Sequence, residues 1–185
     1  MKGGAHESEK QLLERARGGD RAAAESLLAR YREHLKRFVA TMCGDEAEDL
    51  AHDAMAQALT DLPRFEGRST FSCWLHGIAL NLCRHHIRDK KRHAKTAESG
   101  VIEGKAARRG VLSSLYRREL VDRLDQAIER LPVSLREAFA LRFITSMEYE
   151  EIAAITGVSV GTARVRAHRA RALLQDELGP LVDPE

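Results

Sequence analysis

The stretch that decides the fold is "YEEIAAITGVSVGTARVRAHRARALL", residues 149–174. A short segment with two inner residues, Ile152 and Ala153, runs into Gly157, and a second segment with helical spacing follows. Glycine adopts the tight turn that such a junction needs, and Val158 is placed to fill the core between the segments. The pattern predicts a helix-turn-helix, whose second helix is suited to the major groove of DNA.

The second helix has a basic surface opposite a small apolar one, because about 100° of rotation per residue separates its side chains into two faces. The face that we expect to pack on the domain carries Ala163, Ala167, Ala170 and Leu174. The face that we expect to be exposed carries Thr162, Arg164, Val165, His168, Arg169 and Ala172. Such side chains can meet guanine edges, phosphates and thymine methyl groups. The alternative is a solvated basic helix surface, but the tight turn and the small inner residues favour DNA binding.

The composition of the 185-residue chain indicates an all-α protein. Hydrophobic residues make up 43% and aromatic residues only 5%, and there are few β-branched runs. Helical spacing fails over residues 89–112, which are charged, contain glycine and lack periodicity. We therefore predict two small helical domains, residues 10–90 and 112–180, joined by a flexible linker at residues 91–111. The C-terminal domain is the one with the helix-turn-helix.

Glycine, proline and capping residues set the expected helix boundaries. Gly18-Gly19 ends a first helix, Asp20 caps a second, and a third starts near Asp45 and ends before Pro63. A long fourth helix is predicted at residues 71–86. The C-terminal domain is expected to have one helix that ends before Pro132 and others at residues 134–143, 149–156 and about 160–177.

Charge is distributed unevenly, although the formal net charge is only +2. Residues 38–63 contain no Lys or Arg but hold the acids Asp45, Glu46, Glu48, Asp49, Asp53 and Asp61. Residues 84–95 hold a single acid, Asp89, against the cations Arg84, Arg88, Lys90, Lys91, Arg92 and Lys95. One acidic surface and at least two basic surfaces indicate two kinds of partner.

Several classes of function find no support in the residues. We find no glycine-rich phosphate loop, no nucleophile beside a base and no carboxylate cluster, so we expect neither an enzyme with catalytic residues nor a cofactor. The first ten residues lack the apolar segment of a signal peptide, and no apolar run reaches the roughly 20 residues that span a bilayer. We expect a cytoplasmic protein with no membrane insertion.

The three cysteines, Cys43, Cys73 and Cys83, are an odd number that does not make a disulfide framework and fits a reduced compartment. The motifs "CWLH" and "CRHH" place two C-x-x-H pairs on one helix. Ten residues of helix span about 15 Å, whereas zinc ligands lie about 2.0–2.3 Å from the metal. We therefore expect no metal site and interpret Cys73 and Cys83 as buried apolar residues. A redox role for the cysteines stays open.

Three segments in order resemble the extracytoplasmic-function (ECF) class of bacterial sigma factors, the small two-domain members of the sigma-70 family that direct RNA polymerase to promoters. Residues 47–59, "AEDLAHDAMAQAL", resemble the family's polymerase-binding helix. Residues 62–92, which begin "LPRFEGRSTFSCWLHGIALNLCRHH", resemble its promoter-melting loop and minus-ten helix. Residues 131–174, which begin "LPVSLREAFALRF", resemble its minus-thirty-five domain. No single motif is decisive, but the three in this order are highly specific.

The resemblance implies a partner for the acidic helix. Asp49, Leu50 and Asp53 match positions that face the clamp helices of the largest polymerase subunit, a basic coiled coil. The family usually has Gln-Glu where this chain has His52 and Asp53, so the charge is kept on a shorter side chain. The alternative is a solvated first turn whose acids favour the helix dipole.

The resemblance also implies minus-ten contacts in two segments. In the family, a loop that corresponds to residues 65–70 holds a flipped base of the non-template strand. The contacts expected here are Arg64, Phe65 and Arg68, because cations next to a stacking surface suit single-stranded DNA. Core packing is the alternative for Phe65 and the favoured interpretation for Phe71 and Trp74. On the helix that follows, the expected DNA contacts are Asn81, Arg84, His85 and Arg88.

The expected minus-thirty-five contacts are Thr162, Arg164, Val165, His168 and Arg169. Glu148 stands where the family often has a Ser or Thr cap, and we expect it to cap the first helix of the motif more weakly. The implied partners are core RNA polymerase, promoter DNA and an anti-sigma factor. The alternative function is a stand-alone helix-turn-helix regulator, which leaves the acidic helix, the loop and the basic helix of the first domain unexplained.

Overall fold

Every regular element in the part of the chain that the structure describes is helical. The structure, a computed structural model, covers residues 7–96 and 112–182. Its α-helices are α1 (Glu9–Arg17), α2 (Arg21–Cys43), α3 (Ala47–Asp61), α4 (Phe71–Thr96), α5 (Leu112–Arg130), α6 (Val133–Phe139), α7 (Tyr149–Thr156) and α8 (Val160–Val182). No helix within these ranges is both long enough and apolar enough to cross a membrane. The prediction of an all-α fold is confirmed.

Local signals in the sequence begin and end the helices of the N-terminal group, α1 to α4. The Ser8 hydroxyl accepts a hydrogen bond from the Gln11 N–H at 3.3 Å, and the Gln11 side chain accepts one from the Ser8 N–H at 2.9 Å. The Asp20 carboxylate accepts one from the Ala23 N–H at 3.1 Å, which confirms the predicted cap of α2. Gly44, with a φ of 64°, then turns the chain out of α2 in a conformation that other residues rarely adopt.

The N-terminal helices pack around a core that α2, α3 and α4 share. Its fully buried members include Leu27, Leu35, Phe38, Val39, Ala54, Ala58, Leu75 and Ala79. The buried positions of α3 are all alanines. Because these side chains are small, the α3 backbone packs close to the neighbouring helices of the N-terminal group. Its outer face, which carries the acids, is thereby left in solvent.

The C-terminal group contains the predicted helix-turn-helix. Its first helix, α7, ends at Gly157, whose φ of 73° is left-handed, and the Gly157 N–H bonds to the Ala153 carbonyl at 2.9 Å. Three alanines on the inner face of α8, Ala163, Ala167 and Ala170, are completely buried. Both the bounds of α7 and the inner face of α8 agree with the sequence-based prediction.

The long helix α4 extends beyond its predicted end. The sequence predicted a helix over residues 71–86 and a linker from residue 91, whereas α4 continues to Thr96. Its last turns have no apolar face, but Arg92 pairs with Asp89 one turn away at 2.9 Å, and Lys90 pairs with Glu46 at 3.1 Å. The rest of the predicted linker, residues 97–111, lies outside the described residues.

The two helical groups are packed against each other. The π-helical turn Ala140–Ile144 lies against α2, and α7 lies against α4. The core cluster of the N-terminal group therefore continues into the C-terminal group through Leu141, Met147 and Ile152. A second, smaller cluster belongs to the C-terminal group alone and contains Ile128, Leu131, Leu135, Ala170 and Leu174.

Candidate nucleic-acid interface

The outer face of α8 presents the predicted reading residues to solvent. Arg164, Val165, His168 and Arg169 are exposed, and Thr162 is half-buried. Val165 keeps 64% of its surface, so its methyl groups are free to contact a thymine methyl group. The sequence therefore identified which side of the helix is free.

Tyr149, at the start of α7, organises part of this face. The Arg164 guanidinium lies 5.2 Å from the centre of the Tyr149 ring, and the His168 ring is stacked on it at 6.5 Å. The Arg142 guanidinium lies 4.8 Å from the same ring. Cations over an aromatic face are attracted by its quadrupole. Tyr149 thus contacts two of the predicted reading residues, Arg164 and His168.

The two helix starts of the motif are capped differently. The Ser159 hydroxyl accepts a hydrogen bond from the Thr162 N–H at 3.1 Å at the start of α8. At the start of α7, the Glu151 side chain accepts one from the Glu148 N–H at 3.2 Å, and the Glu148 carboxylate pairs with Arg142 at 3.2 Å. The acidic side chains in this first turn stabilise α7 through their interaction with the positive end of the helix dipole.

The basic face of α4 is only partly free. Asn81, His85 and Arg88 are exposed, as expected of DNA contacts. Arg84 is instead held by Glu137 of α6 through two hydrogen bonds, from Nε at 2.6 Å and from Nη2 at 2.8 Å. The hydrogen bonds to this carboxylate raise the pKa of the Arg84 guanidinium further. In this arrangement a predicted minus-ten residue is engaged by the other helical group.

In the loop before α4, two of the predicted DNA contacts are exposed to solvent and one is buried. Arg64 and Arg68 are exposed, and Gly67 has a φ of 76°. Phe65 is 5% exposed and packs against Phe71 and Trp74, with ring centres 6.0 and 5.0 Å away. In this arrangement the Phe65 ring anchors the loop to the core, and its expected contact with a flipped base stays a prediction.

The acidic surface of α3 lies where the sequence placed it. Asp49, His52 and Asp53 are exposed, and Leu50 is half-buried against the core. Glu48 on the same helix pairs with Lys36 of α2 at 3.2 Å, an exposed contact that leaves the two aspartates accessible. The result is an acidic face around one apolar side chain, as the sequence-based interpretation requires.

Sequence reasoning missed the residues that join the two groups. Besides Glu137, these are Arg136, which donates to the Met42 carbonyl at 2.9 Å, and Thr70, which donates to the Glu151 carboxylate at 2.8 Å. One signal was present: Glu137 precedes two fully buried residues of the π-helical turn, Ala140 and Leu141, by three and four positions. An acid in phase with buried residues indicates a buried partner of opposite charge.

The cysteines and His76 behave as core residues. Cys73 is 5% exposed and Cys83 is fully buried, which confirms their interpretation as buried residues. His76 is also buried, and burial lowers the pKa of its imidazole, although Nδ1 lies 2.8 Å from the Ser72 carbonyl. Across the described parts of the chain, no three histidine, cysteine or acidic side chains are grouped to hold a metal ion.

Comparison with known proteins supplies two family matches in the expected order. The family model described as Sigma-70 region 2 matches residues 27–93, and the one described as Sigma-70, region 4 matches residues 122–174. The first match covers α3, the loop and most of α4, and the second covers the helix-turn-helix.

Curated relatives are similar over almost their whole length. The chain is 33% identical to the RNA polymerase sigma-H factor of Pseudomonas aeruginosa, over 95% of this chain and 96% of that protein. It is 31% identical to the ECF RNA polymerase sigma-E factor of Escherichia coli K12, over 92% of this chain and 94% of that protein.

Two solved structures share the fold of both helical groups. One is CnrH in complex with the cytosolic domain of CnrY, with a TM-score of 0.70, 25% identity, and coverage of 94% of this chain and 98% of that one. The other is the sigma factor RpoE in complex with the anti-sigma factor NepR from Bartonella quintana, with a TM-score of 0.70, 29% identity, and coverage of 84% and 96%.

Proposed function

Since the chain belongs to the extracytoplasmic-function (ECF) class of RNA polymerase sigma factors in the sigma-70 family, we infer that it is an alternative sigma factor. It binds core RNA polymerase, directs the enzyme to specific promoters and assists strand opening. The observation that carries this conclusion is the presence of regions 2 and 4 in order within one chain. It acts as an initiation factor in the cytoplasm and needs no cofactor or catalytic residue of its own.

The acidic face of α3 is the proposed polymerase surface. Asp49 and Asp53, one turn apart on the same face of α3, supply exposed negative charge next to Leu50, whose side chain is half-buried but reachable. Charge complementarity accelerates association with a basic partner, and a central apolar contact adds affinity once the surfaces meet. The clamp helices of the polymerase offer such a partner in the family.

The proposed minus-ten surface consists of the loop before α4 and the outer face of α4. Arg64 and Arg68 attract phosphates, and the amide of Asn81 can both donate to and accept from a base edge. His85, Arg84 and Arg88 extend this surface along α4. Phe65 contributes to it by holding the loop against the core.

The proposed minus-thirty-five surface is the outer face of α8. Arg164 and Arg169 provide the guanidinium groups that can bind guanine or phosphate, and Val165 and His168 lie between them on the exposed side. Thr162 lies at the start of the helix, where the N-terminal residues of recognition helices contact base edges.

The closed packing of the two groups implies that promoter binding requires them to separate. Arg84 directs its Nε and Nη2 donors at the Glu137 carboxylate, so this edge of the guanidinium is not available to a DNA phosphate while the two groups are packed together. The free protein in this arrangement therefore lacks a complete minus-ten surface. We also expect an anti-sigma factor as a partner, since RpoE of Bartonella quintana is bound to one in a structure with a similar fold.

The first experiment is in-vitro transcription. The purified protein is mixed with bacterial core polymerase and a genomic promoter library, and the transcript starts are sequenced. Starts that depend on the protein and share upstream elements would support the proposed function. If no such starts appear and the protein alone binds duplex DNA tightly, it is a stand-alone helix-turn-helix regulator instead.

A further inference from the structure

The Tyr149 side chain is held in place at the first turn of α7. It is half-buried against the core that the two helical groups share. Arg142 donates a hydrogen bond to the Met147 carbonyl at 2.8 Å and pairs with the Glu148 carboxylate at 3.2 Å, and its guanidinium lies 4.8 Å from the centre of the Tyr149 ring. A ring that is packed on a core and covered by an anchored guanidinium has little freedom to move.

Two side chains of the exposed face of α8 meet this ring. The Arg164 guanidinium lies 5.2 Å from the ring centre, and the His168 ring stacks on it with the centres 6.5 Å apart and the planes 29° apart. In the part of the chain that the structure describes, neither side chain forms a hydrogen bond or an ion pair with the protein. The contact with the ring therefore leaves the nitrogens of both side chains available to DNA.

Arg169 is the natural comparison for these two residues. It is exposed on the same face of α8, but among the described residues no aromatic ring lies next to its guanidinium. A long side chain that samples many rotamers loses conformational entropy when DNA holds it in one of them. Because the ring already restricts Arg164 and His168, these two have less entropy left to lose than Arg169.

We propose that Tyr149 is a positioning residue of the minus-thirty-five surface, whose ring holds Arg164 and His168 in the orientation that reads base edges. The proposal rests on the proposed function, because it assigns a role within that surface. The attraction of one cation to an exposed aromatic ring corresponds to about a two- to fivefold change in an equilibrium constant. Loss of both ring contacts should therefore weaken base recognition by roughly fivefold to tenfold.

The ring contacts themselves are tested by NMR in the free protein, without DNA. The ring current of Tyr149 should shift the δ protons of Arg164 and the ring protons of His168. Tyr149→Phe keeps the ring and should keep these shifts, whereas Tyr149→Leu should move them to the values of exposed side chains. Circular dichroism checks that both variants are folded. The same shifts in all three proteins would overturn the proposal.

The effect on reading is tested in the holoenzyme. Core polymerase with the protein transcribes a promoter library that is randomised across the minus-thirty-five element, and the transcripts are sequenced. Arg164→Ala, His168→Ala and Arg169→Ala identify the base pairs that each residue reads. Tyr149→Leu should lower the base preference roughly fivefold at the pairs read by Arg164 and His168 and leave the pair read by Arg169 unchanged. Tyr149→Phe should match the wild type.

The pattern of losses separates this role from other roles of Tyr149. A uniform loss of transcription in Tyr149→Leu, with unchanged base preference, would mean that the ring only stabilises α7 and would overturn the proposal. An equal loss in Tyr149→Phe would mean that the hydroxyl contacts the DNA backbone, with the same consequence. A wild-type holoenzyme without any preference in the randomised element would instead refute the proposed function, and the role of Tyr149 with it.

Discussion

The contact between Arg84 and Glu137 is the sharpest place to test whether the two helical groups are held closed. We consider Glu137→Gln, which keeps the shape of the side chain and removes its charge. The Glu137 side chain is 6% exposed and that of Arg84 is 30% exposed, so the pair is buried at one end and open to water at the other. The amide can still accept one hydrogen bond from the guanidinium, but the second acceptor oxygen and the charge are lost.

The size of the effect follows from this half-open geometry. Removing one partner of a fully buried ion pair costs about 3–5 kcal/mol, and an exposed pair is worth about 0–1 kcal/mol. Arg84 retains access to water, so a cost of about 2 kcal/mol is expected for the closed arrangement. At about 1.4 kcal/mol per factor of ten, the ratio of closed to open molecules should fall roughly 30-fold.

Single-molecule energy transfer between one dye on each helical group measures this ratio. The dyes are attached through unnatural amino acids, so the native cysteines stay intact. Glu150→Gln is the matched control, because it removes the same charge from an exposed position in the same group. The double variant Arg84→Gln, Glu137→Gln should lose less than the two single variants combined, since no uncompensated charge remains.

The reasoning would be refuted if Glu137→Gln changed the closed-to-open ratio by less than about threefold. It would equally fail if Glu150→Gln had the same effect as Glu137→Gln, because the result would then reflect overall charge. A melting curve of each variant by circular dichroism separates opening of the interface from loss of helical structure.

Four further changes test other parts of the molecule. Arg169→Ala should weaken promoter use and leave polymerase binding unchanged, as measured by run-off transcription and by gel filtration with core polymerase. Asp53→Arg should do the opposite, and if both changes weakened only DNA binding, the proposed division of surfaces would be wrong. Gly157→Ala should destabilise the protein by about 1–2 kcal/mol in urea unfolding, because alanine is strained at a φ of 73°. His76→Phe should make the stability of the protein less sensitive to acid. Burial depresses the folded-state pKa of the His76 imidazole, so the unfolded chain takes up the proton first as the pH falls. The free energy of unfolding of the wild type therefore declines below about pH 6.5, and that of the variant should decline less. Urea midpoints at neutral and mildly acidic pH measure this difference, and equal pH dependence in wild type and variant would contradict it.

The elements that the sequence predicted well are those whose signals are local. The bounds of α7 follow from Gly157 and from the capping acids, and the inner face of α8 follows from alanines spaced by three and four positions. Each signal lies within one or two helical turns of the residues that it orders. The helix periodicity alone therefore identified which side of the recognition helix is free.

The sequence predicted poorly the features that depend on residues far apart in the chain, and the part of a helix that has no buried face. The end of α4 was placed too early, because a helix held by ion pairs such as Arg92 with Asp89 has no apolar periodicity to detect. The position of Phe65 in the core depends on Phe71 and Trp74, which aromatic composition alone does not separate from a stacking surface. Arg84 and Glu137 are 53 positions apart, and no local pattern pairs them.

The interface between the helical groups also determines how much free energy is needed to separate them. Leu141 and Ile152 are fully buried in the joint core, and complete exposure of such a side chain costs about 1.5–3 kcal/mol. Binding to DNA only replaces the Glu137 carboxylate with a phosphate as the partner of Arg84. This replacement supplies little of the free energy needed to expose the joint core. A ligand opens a protein only to the extent that it binds the open form more tightly. We therefore expect the free chain to bind promoter DNA poorly and the larger contact with core polymerase to supply the energy of opening.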